Sequence, residues 1–333
     1  MLFPSQWSES PDVVNPQEKI SVALCTYNGE RFLARQLASI QQQTKSPFEL
    51  VVCDDCSTDG TMQILRDFSS SASFPVRLAG NEDNIGFVAN FERAIGLCQG
   101  DLIALSDQDD IWYPTRLERS QQEFAAHPEA GLVFSDADVI DEQDELTGTR
   151  LWTNYGFTDE RKQRLLQGDY TVLARHRFVT GATVMFRSRL RANCLPVGSG
   201  WLHDEWIVAN AAAVTELRPI ESPLIRYRQH ASQQVGLGPR LSRWDRNKKH
   251  WNELYRQIGA LEEICKRFSQ QSLSRRGEAL YACYQAHLRF ARFRYELPRR
   301  RLVRLPAILE QYPSYAACGS GVLSMAIDIA LKK

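Results

Sequence analysis

Asp107 and Asp109 stand two residues apart in Ser106-Asp107-Gln108-Asp109-Asp110, directly after the apolar run Leu102–Leu105. Hard carboxylate oxygens placed like this in a turn suit Mg2+ or Mn2+, cations that keep coordination positions open for phosphate oxygens. Three earlier apolar runs end in the same manner. Ser21–Cys25 leads into Thr26-Tyr27-Asn28, Leu50–Cys53 into Asp54-Asp55, and Val76–Ala79 is followed by Asp83-Asn84. If these runs are parallel strands of one sheet, their polar clusters meet along the edge at which open α/β sheets bind ligands. A crevice so rich in carboxylates repels a bare phosphate but accepts a divalent cation carrying one. The pattern therefore points to a metal-dependent enzyme acting on a nucleotide-linked substrate. A lone D-x-D triplet equally describes a solvated turn with helix-capping aspartates; four clusters in register are what favour a site.

The elements that must position these residues follow from the spacing of apolar side chains. Phe32, Leu33, Leu37 and Ile40 form a helical stripe within Glu30–Gln43. Ser57-Thr58-Asp59 offers N-terminal caps to a second helix carrying Met62, Ile64, Leu65 and Phe68. Phe87, Phe91, Ala94, Ile95 and Cys98 make a third stripe. Strands alternating with helices of this length are crossover units, and crossovers build parallel sheets. Past Asp110 the sequence predicts a helix over Pro114–Ala126, a strand over Gly131–Ser135 and a weakly patterned stretch from Asp136 to His176. A strand over Val179–Phe186, a helix over His203–Ala213 and a last strand over Leu224–Gln229 follow, and beyond Arg240 the chain reads as helical and Arg-rich.

The 333 residues can hold one large α/β domain with an appended element. Formal net charge is zero, yet between Arg240 and Arg304 17 Lys and Arg stand against 6 Asp and Glu, a local charge of +11. Met1–Glu18 is polar and acidic, unlike a secretory signal, and no run reaches the roughly 18–20 apolar residues of a spanning helix. A cytoplasmic protein, at most peripheral on the inner face of the membrane, is expected. The eight cysteines follow no framework spacing, and the lone pair Cys53 and Cys56 reads as free thiols rather than half a zinc site. Neither a GxGxxG nor a P-loop lysine motif is present, which argues against dinucleotide oxidoreductases and P-loop kinases. No nucleic-acid recognition motif accompanies the basic segment, so no nucleic-acid partner is expected.

Thr26-Tyr27-Asn28, Asp54-Asp55-x-Ser57-x-Asp59-Gly60-Thr61, Asn84-x-Gly86 and Asp107-x-Asp109-Asp110 resemble, in order and spacing, the motifs of family-2 inverting glycosyltransferases of the GT-A fold. The resemblance covers roughly residues 19–235. The run from Ala104 to Trp112, with Leu202-His203-Asp204 and Tyr227-Arg228-Gln229-His230, looks most like the bacterial rhamnosyltransferase-type branch. The resemblance implies an α/β, GT-A (Rossmann-like) fold: a mostly parallel sheet flanked by helices, with a helical C-terminal extension. Its domains would be an N-terminal tail over 1–18, a catalytic domain over 19–238 and a basic helical region over 239–333.

The resemblance also implies roles. The segment Cys25–Tyr27 and Asp55 would hold the nucleobase, with Asp54 supporting that loop, while Asn28, Asn84, Asp107 and Gln108 would complete the nucleotide-sugar site. Asp109 would be the metal ligand, and His230 a second ligand or a diphosphate contact, a structural histidine beside Arg228 being the rival reading. Asp204 would be the general base that deprotonates the acceptor hydroxyl, since inversion needs one base and no covalent nucleophile. A helix-capping role for Asp204 and the adjacent carboxylate of Glu205 are its competitors. Asp110, Trp112, Gly181, Trp201, His203 and Arg228 are candidates around the acceptor or in support of it, the tryptophans as platforms for sugar faces.

The function so implied is an inverting glycosyltransferase dependent on Mn2+ or Mg2+. It would carry a sugar, L-rhamnose from dTDP-L-rhamnose or another from a UDP-sugar, to a glycan or lipid-linked oligosaccharide for O-antigen or capsule. The alternatives are a sugar nucleotidyltransferase, whose Gly-rich phosphate loop is missing here, and an inactive glycan-binding or scaffold subunit. Arg289, Arg292, Arg294 and Arg299–Arg301, beside Phe290, Phe293 and Tyr295, are expected to meet anionic headgroups. The competing reading is a helical pair that packs on the protein itself.

Overall fold

A computed structural model of the protein describes residues 18–231, 243–298 and 301–318, together with 324, 325, 328 and 329. Four strands carry the first half: Ile20–Thr26 (β1), Glu49–Asp54 (β2), Val76–Gly80 (β3) and Leu102–Ser106 (β4). They lie side by side in the order β3-β2-β1-β4, every neighbouring pair parallel. β1, β2 and β4 are buried along their whole length, as unbroken apolar runs covered on both faces should be. The crossovers are Leu33–Gln41 (α1), Thr61–Ser71 (α2) and Phe87–Leu97 (α3). Leu33, Leu37 and Ile40 of α1, Leu65 of α2 and Phe91, Ala94 and Ile95 of α3 turn the predicted stripes into the core. The register pairs Thr26 with Asp54, Asp54 with Gly80 and Leu24 with Ser106, so the polar clusters do leave the sheet along one edge.

The second half departs from simple alternation. Ile111–Trp112 (β5), Arg116–Ala126 (α4), Ala130–Ile140 (β6), Leu146–Arg150 (β7), Leu151–Asn154 (α5), Val184–Arg187 (β8) and Glu216–Arg228 (β9) continue the sheet as β4-β8-β6-β9-β5, with β7 on β6. β8 is antiparallel to β4 and β6, β9 is parallel to β6, and β5 is antiparallel to β9. The strand expected from Val179 begins only at Val184, because Gly181–Thr183 forms a 3-10 turn that hydrogen-bonds back to Thr180 O. The last strand is longer than the apolar signal of Leu224–Gln229, since Pro219 and Pro223 interrupt its pattern. β7 is exposed throughout and so leaves no apolar trace in the stretch after Asp136.

The chain divides into two compact units. The sheet unit runs to Asn154 and takes in Val179–Ala192 and Thr215–Arg228; the second comprises Tyr155–Phe178, Asn193–Val214 and the chain from Gln229. Asp159–Leu166 (α6) belongs to the second, Arg191–Cys194 (α7) bridges the boundary, and His203–Val214 (α8), Arg243–Ser269 (α9), Arg275–Glu296 (α10), Arg301–Glu310 (α11) and Tyr312–Cys318 (α12) follow. The helix bearing His203 and Asp204 thus belongs to the same unit as the C-terminal helices and packs with α10. Ser274 caps α10 by accepting from Gly277 N–H and donates to Ala213 O, both at 3.0 Å. A Cβ at Gly277 would lie 2.0 Å from that carbonyl, so α8 and α10 meet where only glycine fits.

The basic tail differs from a headgroup-facing surface at several of its named residues. Arg294 is bound through two nitrogens to the fully buried Asp328, at 2.7 and 2.8 Å. Tyr315 Oη donates to the same carboxylate at 2.6 Å, and Arg304 donates to the Asp328 carbonyl at 2.9 Å. Phe290 is buried edge-on against Tyr315, Phe293 packs in the same cluster, and Arg292 pairs with Glu262 at 2.6 Å. Arg299, Arg300 and the side chain of Arg301 lie outside the described residues, as does the tail before Glu18. No described helix is long and apolar enough to cross a membrane. Asp328→Ala should lower unfolding stability by about 3 kcal/mol, because it strands the largely buried Arg294 guanidinium; a urea midpoint equal to the parent's would contradict this.

Candidate functional site

Along the shared edge the loops are tied together by their own polar side chains. Thr26 Oγ1 donates to Asp54 Oδ1 at 2.8 Å, and Asp54 also accepts from Ser57 N–H at 2.9 Å and Ser57 Oγ at 2.6 Å. Asp55 is buried and holds the loop after β3: it accepts from Ile85 N–H and Gly86 N–H, both at 2.8 Å, and from Asn81 Nδ2 at 2.7 Å. Asn84 is exposed and donates to Asp55 O at 3.3 Å. Asn28 adopts a left-handed backbone (φ 48°), which asparagine tolerates. Its N–H donates to Ser57 Oγ at 2.9 Å and its Oδ1 accepts from Thr58 N–H at 2.8 Å.

The acidic loop is stapled to this group. Gln108 Oε1 accepts from Tyr27 N–H at 2.8 Å while its Nε2 donates to Tyr27 O at 3.0 Å, a two-way bond between the ends of β4 and β1. The contact needs glycine two residues on, since a Cβ at Gly29 would stand 2.3 Å from Gln108 Oε1. Asp107 and Asp109 keep partial exposure, whereas Asp110 is 1% exposed. Asp110 Oδ1 accepts from Arg228 N–H at 3.0 Å. Burial, with the charges of Asp109 and Asp107 adding to it, pushes the Asp110 carboxyl well above the usual carboxylate range.

Two residues that sequence reasoning missed sit behind this loop. Gln36, fully buried on α1, donates to Asp110 O at 2.6 Å and accepts from Ser106 Oγ at 2.7 Å and Trp112 Nε1 at 2.9 Å, its amide turned to satisfy all three. Its signal was a polar residue on the apolar stripe of Leu33, Leu37 and Ile40. Arg116 is buried with its guanidinium 3.6 Å from the centre of the Trp112 ring and donates to Leu105 O at 2.9 Å. Burial lowers it to about 9, opposed by Asp110 and Asp107, so it stays cationic at neutral pH. Trp112 is therefore a buried partner of arginine, not a platform for a sugar. Arg228 is likewise fully buried.

In the second unit, α8 opens with His203, Asp204 and Glu205. Asp204 Oδ1 accepts from Glu205 N–H at 2.8 Å, and Glu205 pairs with Arg177 at 2.9 Å. His203 is buried, and that burial holds its imidazole below its ordinary value, hence neutral at pH 7. Trp201, half-buried, stands edge-on to Trp206 and Tyr284 and donates from Nε1 to Ala260 O at 2.8 Å. His230 follows the end of β9, partly exposed, and Gly181 is buried in the 3-10 turn before β8. All eight cysteines are free thiols, Cys53 buried and Cys56 half-buried. Among the described residues no three His, Cys, Asp or Glu side chains are grouped as a self-contained metal cage.

Residues 21–186 match the family model described as Glycosyl transferase family 2, and the chain belongs to that family. It is 35% identical over 129 residues to the putative glycosyltransferase EpsE of Bacillus subtilis, covering 39% of this chain and 46% of that protein. Over 99 residues it is 34% identical to UDP-Glc:alpha-D-GlcNAc-diphosphoundecaprenol beta-1,3-glucosyltransferase WfgD of Escherichia coli, covering 30% and 38%. An uncharacterized Mycobacterium tuberculosis protein is 27% identical over 219 residues, 64% of this chain and 59% of that one. The chain thus spans about half the length of these curated relatives. Among solved structures, S. aureus TarS 1–349 aligns with a TM-score of 0.57 at 17% identity, covering 94% of this chain and 81% of that one. The mannosyltransferase PcManGT of Pyrobaculum calidifontis, in complex with GDP-Man and Mn2+, aligns at 0.52 with 19% identity, covering 99% and 85%. These likenesses establish a GT-A-like fold: a mixed α/β sheet flanked by helices, with a helical C-terminal region.

Glu205 supplies a pH test of the α8 terminus. Burial raises its carboxyl to about 7, with Asp204 adding and Arg177 opposing, so the folded state holds a proton that the unfolded chain, near 4.5, has released. Its contribution to stability is complete below about pH 4.5 and is lost as the pH rises through 7. Glu205→Gln should remove this loss: the variant should gain on the parent between pH 4.5 and 7, by at most about 3 kcal/mol. Parallel stability–pH curves from chemical denaturation would refute the assignment.

Proposed function

We propose that the protein is an inverting glycosyltransferase that moves a sugar from a nucleotide donor to a hydroxyl of a glycan or lipid-linked oligosaccharide, using Mn2+ or Mg2+. The observation that carries this reading is the Gln108–Tyr27 staple. It fixes the loop of Asp107 and Asp109 against the loops of β1 and β2 at the ligand-binding edge of the parallel strands while leaving both carboxylates partly exposed. Two hard donors on an accessible loop fit a cation that keeps water and phosphate oxygens in its remaining positions better than one caged by protein alone. Asp109, with Asp107 beside it and His230 as a further ligand or diphosphate contact, would hold that cation. When bound it supplies charge neutralisation for the departing diphosphate.

The chain's own residues do the rest. Thr26, Tyr27, Asn28, Asp54, Asp55 and Asn84 form the pocket for base and ribose, rigid because their polar groups are already cross-bonded. Asp204 takes the proton of the acceptor hydroxyl as the hydroxyl attacks the anomeric carbon from the face opposite the leaving group. Glu205, engaged by Arg177, is the weaker candidate. The branch resemblance favours dTDP-L-rhamnose as donor and surface polysaccharide as product, whereas the relatives' names carry UDP-Glc and their structural counterparts UDP-GlcNAc and GDP-Man. We place the enzyme in the bacterial cytoplasm, peripheral to the membrane through exposed basic side chains such as Arg289; failure to co-sediment with anionic vesicles would remove that part.

Thermal shift against dTDP-L-rhamnose, UDP-Glc, UDP-GlcNAc and GDP-Man, each with and without Mn2+, tests the reading. A donor at about 100 times its Kd should add about 2.7 kcal/mol of stability. A Mn2+-dependent shift for one donor supports the transferase; none for any donor overturns it in favour of a scaffold. Asp109→Asn should abolish the metal-dependent part of donor binding. Asp204→Asn should keep donor binding and lower kcat by roughly 10²–10⁴-fold; turnover near the parent's would move the base to another group.

A further inference from the structure

We infer that Arg228 and Asp144 are positioning residues: the turn between β6 and β7 grips the backbone of the acidic loop through Arg228 and so sets where Asp109 presents its carboxylate. This rests on the proposed donor site. The antiparallel register of β5 and β9 pairs Ile111 with Arg226, and two residues further along the same register Arg228 stands across from Asp109. Its Nε donates to Asp109 O at 2.6 Å and its backbone N–H to Asp110 Oδ1 at 3.0 Å. The other end of the guanidinium is held by the turn. Nη1 donates to Asp141 O at 2.8 Å and Nη2 pairs with Asp144 Oδ1 at 2.5 Å. The ring of Phe32 lies 4.5 Å beneath the guanidinium carbon.

The turn is itself made rigid for this purpose. Asp141 Oδ1 accepts from Gln143 N–H at 2.8 Å and Glu145 N–H at 3.0 Å, and Asp144 sits at φ 71°. Two arginines hold it in place, Arg35 of α1 on Asp144 at 2.7 Å and Arg31, in the turn before α1, on Glu142 at 2.6 Å. Packing alone does not call for such a group. A fully buried arginine carries a desolvation cost that an apolar side chain of the same volume avoids. What the guanidinium adds is a planar fork that bonds three groups on two separate segments at fixed angles, which lysine cannot reproduce. It also sets a cation at the base of a loop that carries three carboxylates.

The test uses the accessible end of the device. Asp144, 26% exposed on its turn, is replaced by Asn, and Arg228 by Lys, in the full chain. Exchange of the Asp109 and Asp110 amides is followed by hydrogen–deuterium exchange, and Mn2+ and donor titrations are run alongside. Both variants should speed loop exchange at least ten-fold and weaken Mn2+ affinity ten- to hundred-fold, the usual effect of losing a group that orients a metal ligand. At saturating Mn2+, kcat should stay within a few-fold. Arg292→Gln, which severs the exposed Arg292–Glu262 pair and touches neither the turn nor the acidic loop, should leave all three within two-fold. Folded Asp144→Asn and Arg228→Lys proteins with loop exchange within two-fold of the parent overturn the proposal. If Arg228→Lys does not fold, Asp144→Asn decides alone. If the parent binds neither Mn2+ nor any donor, the proposed function fails, while loop exchange still decides the positioning role.

Discussion

Three carboxylates crowd the four residues from Asp107 to Asp110, and the rest of the sheet unit is arranged around meeting their repulsion from the protein side. Arg116 and Arg228, both buried, supply the positive charge, and each is held in place by aromatic contact as well as by hydrogen bonds. A buried cation is costly unless it is paired and fully bonded. Here the cost has a use: it keeps the loop from swinging into solvent, where like charges would otherwise drive it. Two carboxylates then remain partly exposed while the third, Asp110, is drawn into the interior.

α1 serves as the strut for this arrangement. Its buried face supplies Gln36, which ties Ser106, Asp110 and Trp112 together, and its exposed side supplies Arg35, which reaches the turn after β6. One helix thus touches the acidic loop directly and also steadies the turn that grips Arg228. Gln108, Asp54 and Asp55 complete the set by bonding loop to loop along the edge. Loops cross-bonded in this way are held in a fixed relation to one another by their own side chains.

The second unit is built on different physics. Its helices meet through glycine at Gly277, through the aromatic contacts of Trp201, Trp206 and Tyr284, and through the buried Arg294–Asp328 pair. The +11 segment that looks like a surface feature is therefore partly an internal one: a share of its arginines is consumed by carboxylates within the unit.

The sequence by itself determined the parallel half of the sheet, because apolar runs ending in polar clusters and separated by helical stripes admit few other solutions, and it determined the family, because those clusters keep a specific order and spacing. It also brought out the exposed carboxylates, whose chemistry depends on residue type. Only the tertiary structure decided which neighbours were structural. Trp112 and Arg228 stood among the candidates around the acceptor or in support of it, and burial gives each an internal partner, while the half-buried Trp201 packs edge-on against Trp206 and Tyr284. β5, β7 and the true length of β9 were hidden for a related reason. A two-residue strand, an exposed hairpin arm and a proline-interrupted run carry no periodic signal, and their pairing is fixed by strands distant in the chain. Pairing and burial are properties of the assembled chain, and it is there that the acidic loop acquires its supports.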